Sequence, residues 1–194
     1  MTLYPFALFA HIIGVLGMFI AIALEFTGML GMRRARTIEQ VRTWANLSVV
    51  PEKVFPFSGL LILVDGVYMA LVGWGWQVAW IDVSLLALIL MFTLGPLINS
   101  HRPRMIHRAA GQAPAGSIPQ ALARQIEDPV LWTCVQTLNM MALGVVFLMT
   151  TKPGWPGSLG VLVVSVLLGL LSLSLTARRR GRAAVVEAQA QDTH

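Results

Sequence analysis

The stretch FALFAHIIGVLGMFIAIALEF, Phe6 to Phe26, decides the fold. It is apolar enough and long enough to cross the hydrocarbon core of a bilayer, which takes about 20 apolar residues in an α-helix. Yet it carries two ionisable groups, His11 and Glu25. A charged side chain at the bilayer centre costs about 2.5–3.5 kcal/mol on insertion scales, so such groups face neighbouring helices rather than lipid. At about 100° per residue, Ala10, Gly14, Gly17, Ala21 and Gly28 share a narrow arc, and His11, Met18 and Glu25 follow its flank. Small residues let helix backbones approach closely. The stripe therefore predicts a helix–helix contact with both ionisable groups beside it.

The rest of the chain has the same character. Of 194 residues, 56% are hydrophobic and 12% charged, against about 25% charged in an ordinary soluble domain. Five apolar runs predict an all-α membrane protein with spans at Tyr4–Met32, Val54–Gly73, Trp80–Asn99, Val130–Thr150 and Leu159–Thr176. Together they form one bundle and one domain. The start, MTLYPF, lacks the positive n-region of a cleaved leader, so the first run reads as a retained span. Residues 100–128 read as a cytoplasmic loop with a flexible middle, GQAPAGSIP. PQALARQIED within it suits a short interfacial helix with Ser117 near its N-cap. Asp128-Pro129 predicts the start of span four as N-cap and first-turn proline. Residues 183–194 read as a disordered tail. The single cysteine, Cys134, cannot form an internal disulfide.

Charge sets the predicted orientation. Arg33, Arg34, Arg36, Arg42 and Lys53 separate spans one and two; Arg102, Arg104, Arg108 and Arg124 separate spans three and four; Arg178, Arg179, Arg180 and Arg182 follow span five. Only Lys152 falls on the other side. By the positive-inside rule the N-terminus is outside and the C-terminus cytoplasmic. Tyr4, Trp74, Trp76, Trp80 and Trp155 fall at the predicted outer boundary, and Trp44 and Trp132 at the inner one. The net charge of +5 resides in these flanking clusters. With no nucleic-acid-binding module present, the charge points to a lipid bilayer and not to DNA or RNA.

Candidate functional residues form a sparse polar ladder through the apolar bundle. Asp65 and Asn139 lie near mid-span, His11 roughly 9 Å towards the outside and Glu25 roughly 12 Å towards the cytoplasm, from the helical rise. Gln136 is one turn from Asn139. Asp65 reads either as a titrating carrier, alone or paired with His11, or as a packing carboxyl bonded to Asn139 or Ser58. His11 reads as a proton relay, a metal or haem ligand, or a satisfied buried imidazole. Met18, Met69 and Met140 could complete a His/Met set for haem b or copper. Glu25 reads most simply as snorkelling towards Arg33 or Arg36, and HRPRMIHR (101–108) as a lipid-contacting basic patch. Span three is read as polar only at its ends. Span five is read as peripheral or as a contact for a second copy or another membrane subunit. There is no Gly-rich phosphate loop, nucleophile elbow or Cys/His zinc spacing.

Four segments together carry a resemblance: FAHIIGVLGMFIA, RTIEQVRTWANL, EKVFPFSGLLILVDGVYMALVGWGWQVAWIDVSLL and DPVLWTCVQTLNMMALGVVFLMTTKP. They resemble a family of bacterial integral membrane proteins of unknown function, over Leu3 to Pro153. The resemblance implies the bacterial cytoplasmic membrane and no particular activity. His11 near the start of the first span also resembles the copper-resistance-D-like and protoporphyrinogen-oxidase-like small membrane proteins, some of which bind haem, which implies haem at that imidazole. Two functional expectations follow: proton, ion or small-ligand handling through the ladder, or a redox cofactor at His11. A non-catalytic subunit of a membrane complex is a third.

Overall fold

The computed structural model of the chain describes residues 3–75, 77–99 and 101–172, and the side chains of all of these except 96–104. Trp76, the end of span five, the arginines beyond it and the 183–194 tail lie outside the described residues. The described chain is α-helical, with one isolated antiparallel bridge between Thr37 and Ser117. In order, the helices are α1 (Tyr4–Arg34), α2 (Ile38–Leu47), α3 (Val49–Met69), α4 (Ala79–Asn99), α5 (His101–Gln112), α6 (Gln120–Ile126), α7 (Pro129–Thr151) and α8 (Trp155–Ser172); a π-helical turn, Ala70–Trp74, ends α3. Four helical stretches are long and apolar enough to cross a membrane: Tyr4–Arg34, Ile38–Trp74, Gln120–Thr151 and Trp155–Ser172. The apolar part of α4, Ala79–Gly95, is shorter.

The closest helix pair is α1 with α3. The small residues of α1 make it so. A Cβ on Gly14 would stand 3.0 Å from Ile62 Cγ1 and 3.1 Å from the Ser58 carbonyl oxygen; one on Gly28 would stand 2.6 Å from Ser48 Oγ. The reciprocal gap on α3 is Gly66, where a Cβ would lie 3.4 Å from the His11 ring. A second pair, α4 with α7, packs through Ala87, Met141 and Val145. α8 lies on the outside of α7, where Ser165 and Gly169 meet Gly144 and Thr137. Its other face, with Leu159, Val163, Leu167 and Leu170, is exposed. α8 starts at Trp155, four residues before the predicted span, because Pro156 falls in the first turn, where a missing N–H costs nothing.

One end of the bundle gathers tryptophan and the other arginine. At the first, Tyr4 packs over Gly73, Trp74 meets Trp80 edge-on at 5.4 Å, and the Lys152 ammonium stands 4.3 Å above the Trp74 ring. At the second, Arg33 lies 4.3 Å over Trp132, which packs against Phe26.

The arginine end departs from the loop reading. The 100–128 segment is mostly helical, and with α2 it builds a layer of its own. Ile38, Val41 and Ala45 of α2, Ile106 and Ala110 of α5, and Leu122 and Ile126 of α6 are buried against Met29, Met32, Leu131 and Val135. The layer is tied by polar bonds to backbone. Arg42 donates to the carbonyls of Ala110 (2.8 Å) and Ala113 (2.5 Å), satisfying α5's C-terminal acceptors. Thr37 caps α2, with Gln40 as the companion residue accepting from Arg36 N–H at 2.8 Å. Ser117 is not a cap: Pro119 precedes α6, and Ser117 is drawn into the bridge with Thr37 by the Ile38 N–H bond to the Gly116 carbonyl. Asp128 does cap α7, accepting from Val130 N–H at 2.9 Å with Pro129 at the first position.

Two outcomes are expected. Gly14→Ala forces a methyl against the fixed Ser58 carbonyl, and should lower stability by about 1–3 kcal/mol, as overpacking does, read as a drop in Tm in detergent; an unchanged Tm would show the helices are less closely apposed. Glu39 accepts from Gly116 N–H at 3.1 Å, and its own backbone N–H, the Thr37 hydroxyl and Gly116 hold its carboxyl below the ordinary range. A lowered folded-state value means the contact is made above the free carboxylate's range and lost as pH falls through the lowered one. The Gly116 amide resonance should therefore titrate below a free glutamate; a midpoint in the ordinary range would count against the bond.

Candidate functional site

Because α3 and α4 touch little, the two helix pairs enclose space between them. One cavity of about 250 Å³ lies at the tryptophan end, lined by the starts of α1 and α4 and the ends of α3 and α7. A second of about 330 Å³ lies towards the arginine end, lined by the opposite ends of the same helices. That each cavity takes alternate ends of successive helices fixes α1, α3, α4 and α7 as an up-and-down bundle.

An apolar layer separates the cavities. Met18, Ile62, Leu88 and Ala142, one from each helix, are buried together, with Phe19, Phe55, Leu63 and Met91 packed around them. Leu88 is on the wall of both cavities. The members of the single ladder projected from helical depth are therefore divided between two mostly apolar cavities with an apolar layer between them. Depth along one helix is readable from rise per residue; which neighbour a side chain meets is not.

His11 is on the wall of the first cavity and 7% exposed. Its ring packs on Gly66 of α3, feels the Ile62 backbone and lies in the field of the Asp65 carboxylate. No hydrogen bond of good geometry reaches His11 Nδ1 or Asp65 Oδ2, though both atoms are buried. Asp65 is half-buried at the α1–α3 contact, beside the cavity rather than on its wall. The structure thus brings His11 and Asp65 together and leaves Asp65 without the bond to Asn139 or Ser58 that a packing role would use.

The other candidates fall elsewhere. Glu25, Asn139 and Met18 line the second cavity. Asn139 donates to Gln136 Oε1 at 3.4 Å, a contact within α7. Met69 lines the first cavity with His11, and Met18 does not. Met140 lines neither. His107 is exposed at the arginine end, and Cys134 is a half-buried free thiol. Among the described residues no three His, Cys, Asp or Glu side chains gather to hold a metal.

Three contributors were not evident from the sequence. Ser84, in the second turn of α4, is 5% exposed, lines the first cavity and has a buried hydroxyl with no partner. Lys152, the one basic residue predicted on the other side of the spans, sits on the same cavity's rim in a left-handed backbone conformation (φ 50°), its chain turned back towards Trp74 and Trp80. Glu52, beside Lys53 at the start of the second predicted span, lines the second cavity. Ser84 had a signal: it follows Trp80 by four residues and precedes Leu88 by four, on one helix face.

Leu88→Ala should join the two cavities by removing the side chain they share. In proteoliposomes carrying a pH gradient, the variant should dissipate it several-fold faster than the parent chain. An unchanged leak would mean that Met18 and Ile62 close the layer without Leu88. The chain matches no protein-family profile, no curated protein and no solved structure, so its chemistry has to be read from these side chains.

Proposed function

We propose that this is a multi-pass protein of the bacterial cytoplasmic membrane, with five spans and its tryptophan end outside, that handles protons or a small ligand through the His11–Asp65 pair. The observation that carries the reading is the pair itself: two ionisable side chains from adjacent helices of an apolar bundle, His11 buried and Asp65 half-buried, within electrostatic reach of each other, with His11 Nδ1 and Asp65 Oδ2 buried and lacking a hydrogen bond of good geometry. Such groups are costly in a membrane and mark ion or proton paths. Asp65 is the titrating carrier and His11 the outer relay, opening on the first cavity. Glu25 and Asn139 belong to the cytoplasmic compartment, reached when the Met18–Ile62–Leu88–Ala142 layer parts. α8's outward Leu and Val face meets lipid in this arrangement. The thirteen Lys and Arg residues that a five-span topology assigns to one side, against Lys152 alone on the other, support the orientation.

Asp65→Asn should abolish pH-dependent flux in liposomes while leaving folded yield nearly intact, since the amide keeps the shape. His11→Gln should slow flux by about tenfold or more, the low end of a proton-transfer group's contribution. Unchanged flux in Asp65→Asn would sink the proposal.

A second reading has one observation in its favour. Met69 and Met149 share the first cavity with His11, a soft donor set suited to Cu(I). A cavity of about 250 Å³ suits a bare ion better than haem b, since cofactor sites usually run to about 300–1,000 Å³. Metal analysis and a visible spectrum of the purified protein decide it: stoichiometric copper lost in His11→Ala would favour this reading, and colourless, metal-free protein that does not take up Cu(I) would end it.

A further inference from the structure

Lys152 stands against the charge bias of the chain, since a five-span topology assigns every other Lys and Arg to the opposite side. Its position is a built one. It ends α7 at φ 50° and ψ 52°, the left-handed conformation that glycine usually supplies at a helix end, and its N–H donates to the Leu148 carbonyl at 2.9 Å. From there the side chain folds back over the mouth of the first cavity, the ammonium 4.3 Å above the Trp74 ring and 5.9 Å from the centre of the Trp80 ring. Among the described residues no carboxylate pairs with it. An ammonium has three N–H donors, and a ring face meets one side of it. Lys152 is exposed, so its other donors are open to an incoming anion.

Below the rim the cavity wall is hydrocarbon: Leu8, Val67, Leu85 and Val145 along the sides and Leu88 at the floor. The polar atoms His11 Nδ1 and Ser84 Oγ are closed over by their neighbours and offer nothing to an occupant. No acidic side chain of a described residue lines the space. Trp80 at the rim and Leu88 at the floor are about two turns apart on α4, or about 12 Å by helical rise. The volume of about 250 Å³ is roughly eight times that of a water in the liquid, and a methylene is of similar size. An ammonium at the mouth of an apolar cavity of that depth matches a charged head and a hydrocarbon tail.

We propose that the first cavity takes an amphiphilic anion with a straight chain of roughly eight to ten carbons, its carboxylate, sulfonate or phosphate ester head on the Lys152 ammonium and its tail running down to Leu88. The head stays at the wet boundary and the tail leaves water, so each end keeps the surroundings it prefers. Trp74 and Trp80 flank the first carbons of the chain. The inference goes beyond the His11–Asp65 reading, and neither Asp65 nor proton movement enters it.

Binding is measured by equilibrium dialysis of the full chain, in phosphatidylcholine nanodiscs, against radiolabelled straight-chain alkanesulfonates from butane- to tetradecanesulfonate, each below its micellar concentration. The sulfonate stays ionised throughout, and empty nanodiscs give the share due to lipid. The parent chain should bind in a one-to-one ratio. Affinity should rise about fourfold per methylene, the gain from burying a CH₂, and level off beyond roughly ten carbons, where the cavity is full. Lys152→Gln should weaken octanesulfonate binding by about tenfold or more, and Lys152→Arg should keep it within about threefold. Octyltrimethylammonium, with the same tail and the opposite charge, should show no saturable binding. Absence of saturable sulfonate binding, an affinity that climbs through tetradecanesulfonate without a break, or equal binding by the parent chain and Lys152→Gln would each overturn the proposal. The chain-length series needs no variant, so it decides the matter even where Lys152→Gln folds poorly. Repeating the titration with phosphatidylglycerol in the discs separates the sources: undiminished binding assigns the site to a free single-chain anion, and competitive loss assigns it to the head and one chain of a bilayer lipid. If sulfonate binding is absent while Asp65→Asn abolishes flux, the proton reading stands and this one falls; normal sulfonate binding with flux unchanged in Asp65→Asn separates them the other way.

Discussion

The close approach of α1 to α3 governs the rest of the molecule. Lipid gives helices little hydrophobic reason to associate, so contact depends on how near the backbones come. Gly14, Gly17 and Gly28 let α1 settle onto Ser58, Ile62 and the Trp44–Ser48 turn. The His11 ring comes to rest over Gly66, where even a Cβ would be in ordinary contact with it at 3.4 Å. The α1–α3 contact thereby brings His11 into the neighbourhood of Asp65. The same approach absorbs the small face of α1, leaving α4 and α7 to pair with each other, and the space between the pairs becomes the two cavities.

The two ends of the bundle are stabilised by different chemistry. The tryptophan end relies on ring packing and one cation over a ring, contacts worth about 0.5–1 kcal/mol when exposed. The arginine end has a buried apolar layer, helix caps and guanidinium-to-carbonyl bonds. Arg33 reaches from α1 to the Ile126 and Glu127 carbonyls just before α7, joining the two helix pairs there.

Much of this was legible in the sequence. The small-residue stripe of α1, the Asp128-Pro129 start of α7 and the segregation of tryptophan from arginine each follow from local chemistry that tertiary packing has no cause to override. The layer at the arginine end was half-legible: Ile38, Val41 and Ala45 lie on one face of IEQVRTWANL, a helical period hidden by the surrounding charge. What could not be read was azimuth between helices. Glu25 and His11 flank the same stripe on α1 but open on different cavities, because Met18, midway between them, belongs to the apolar layer that separates the two. Ser84 passed unnoticed for a related reason: a lone serine is common in apolar helices, and only its missing bond to Trp80 sets it apart.

The seam between α3 and α4 has a mechanical side. The Phe92 ring lies against Gly59, and the Ile62–Leu88 layer bridges the helices at mid-height, while their backbones approach closely at few points. Widening such a seam exchanges side-chain dispersion contacts and breaks no backbone ladder. Each helix pair keeps its internal bonding while it tilts. The four-residue link from Trp74 to Ala79 and the Trp74–Trp80 contact tie α3 to α4 at the tryptophan end, so the freedom of the seam lies in its other half, and its stiffness there is set by the size of residue 59.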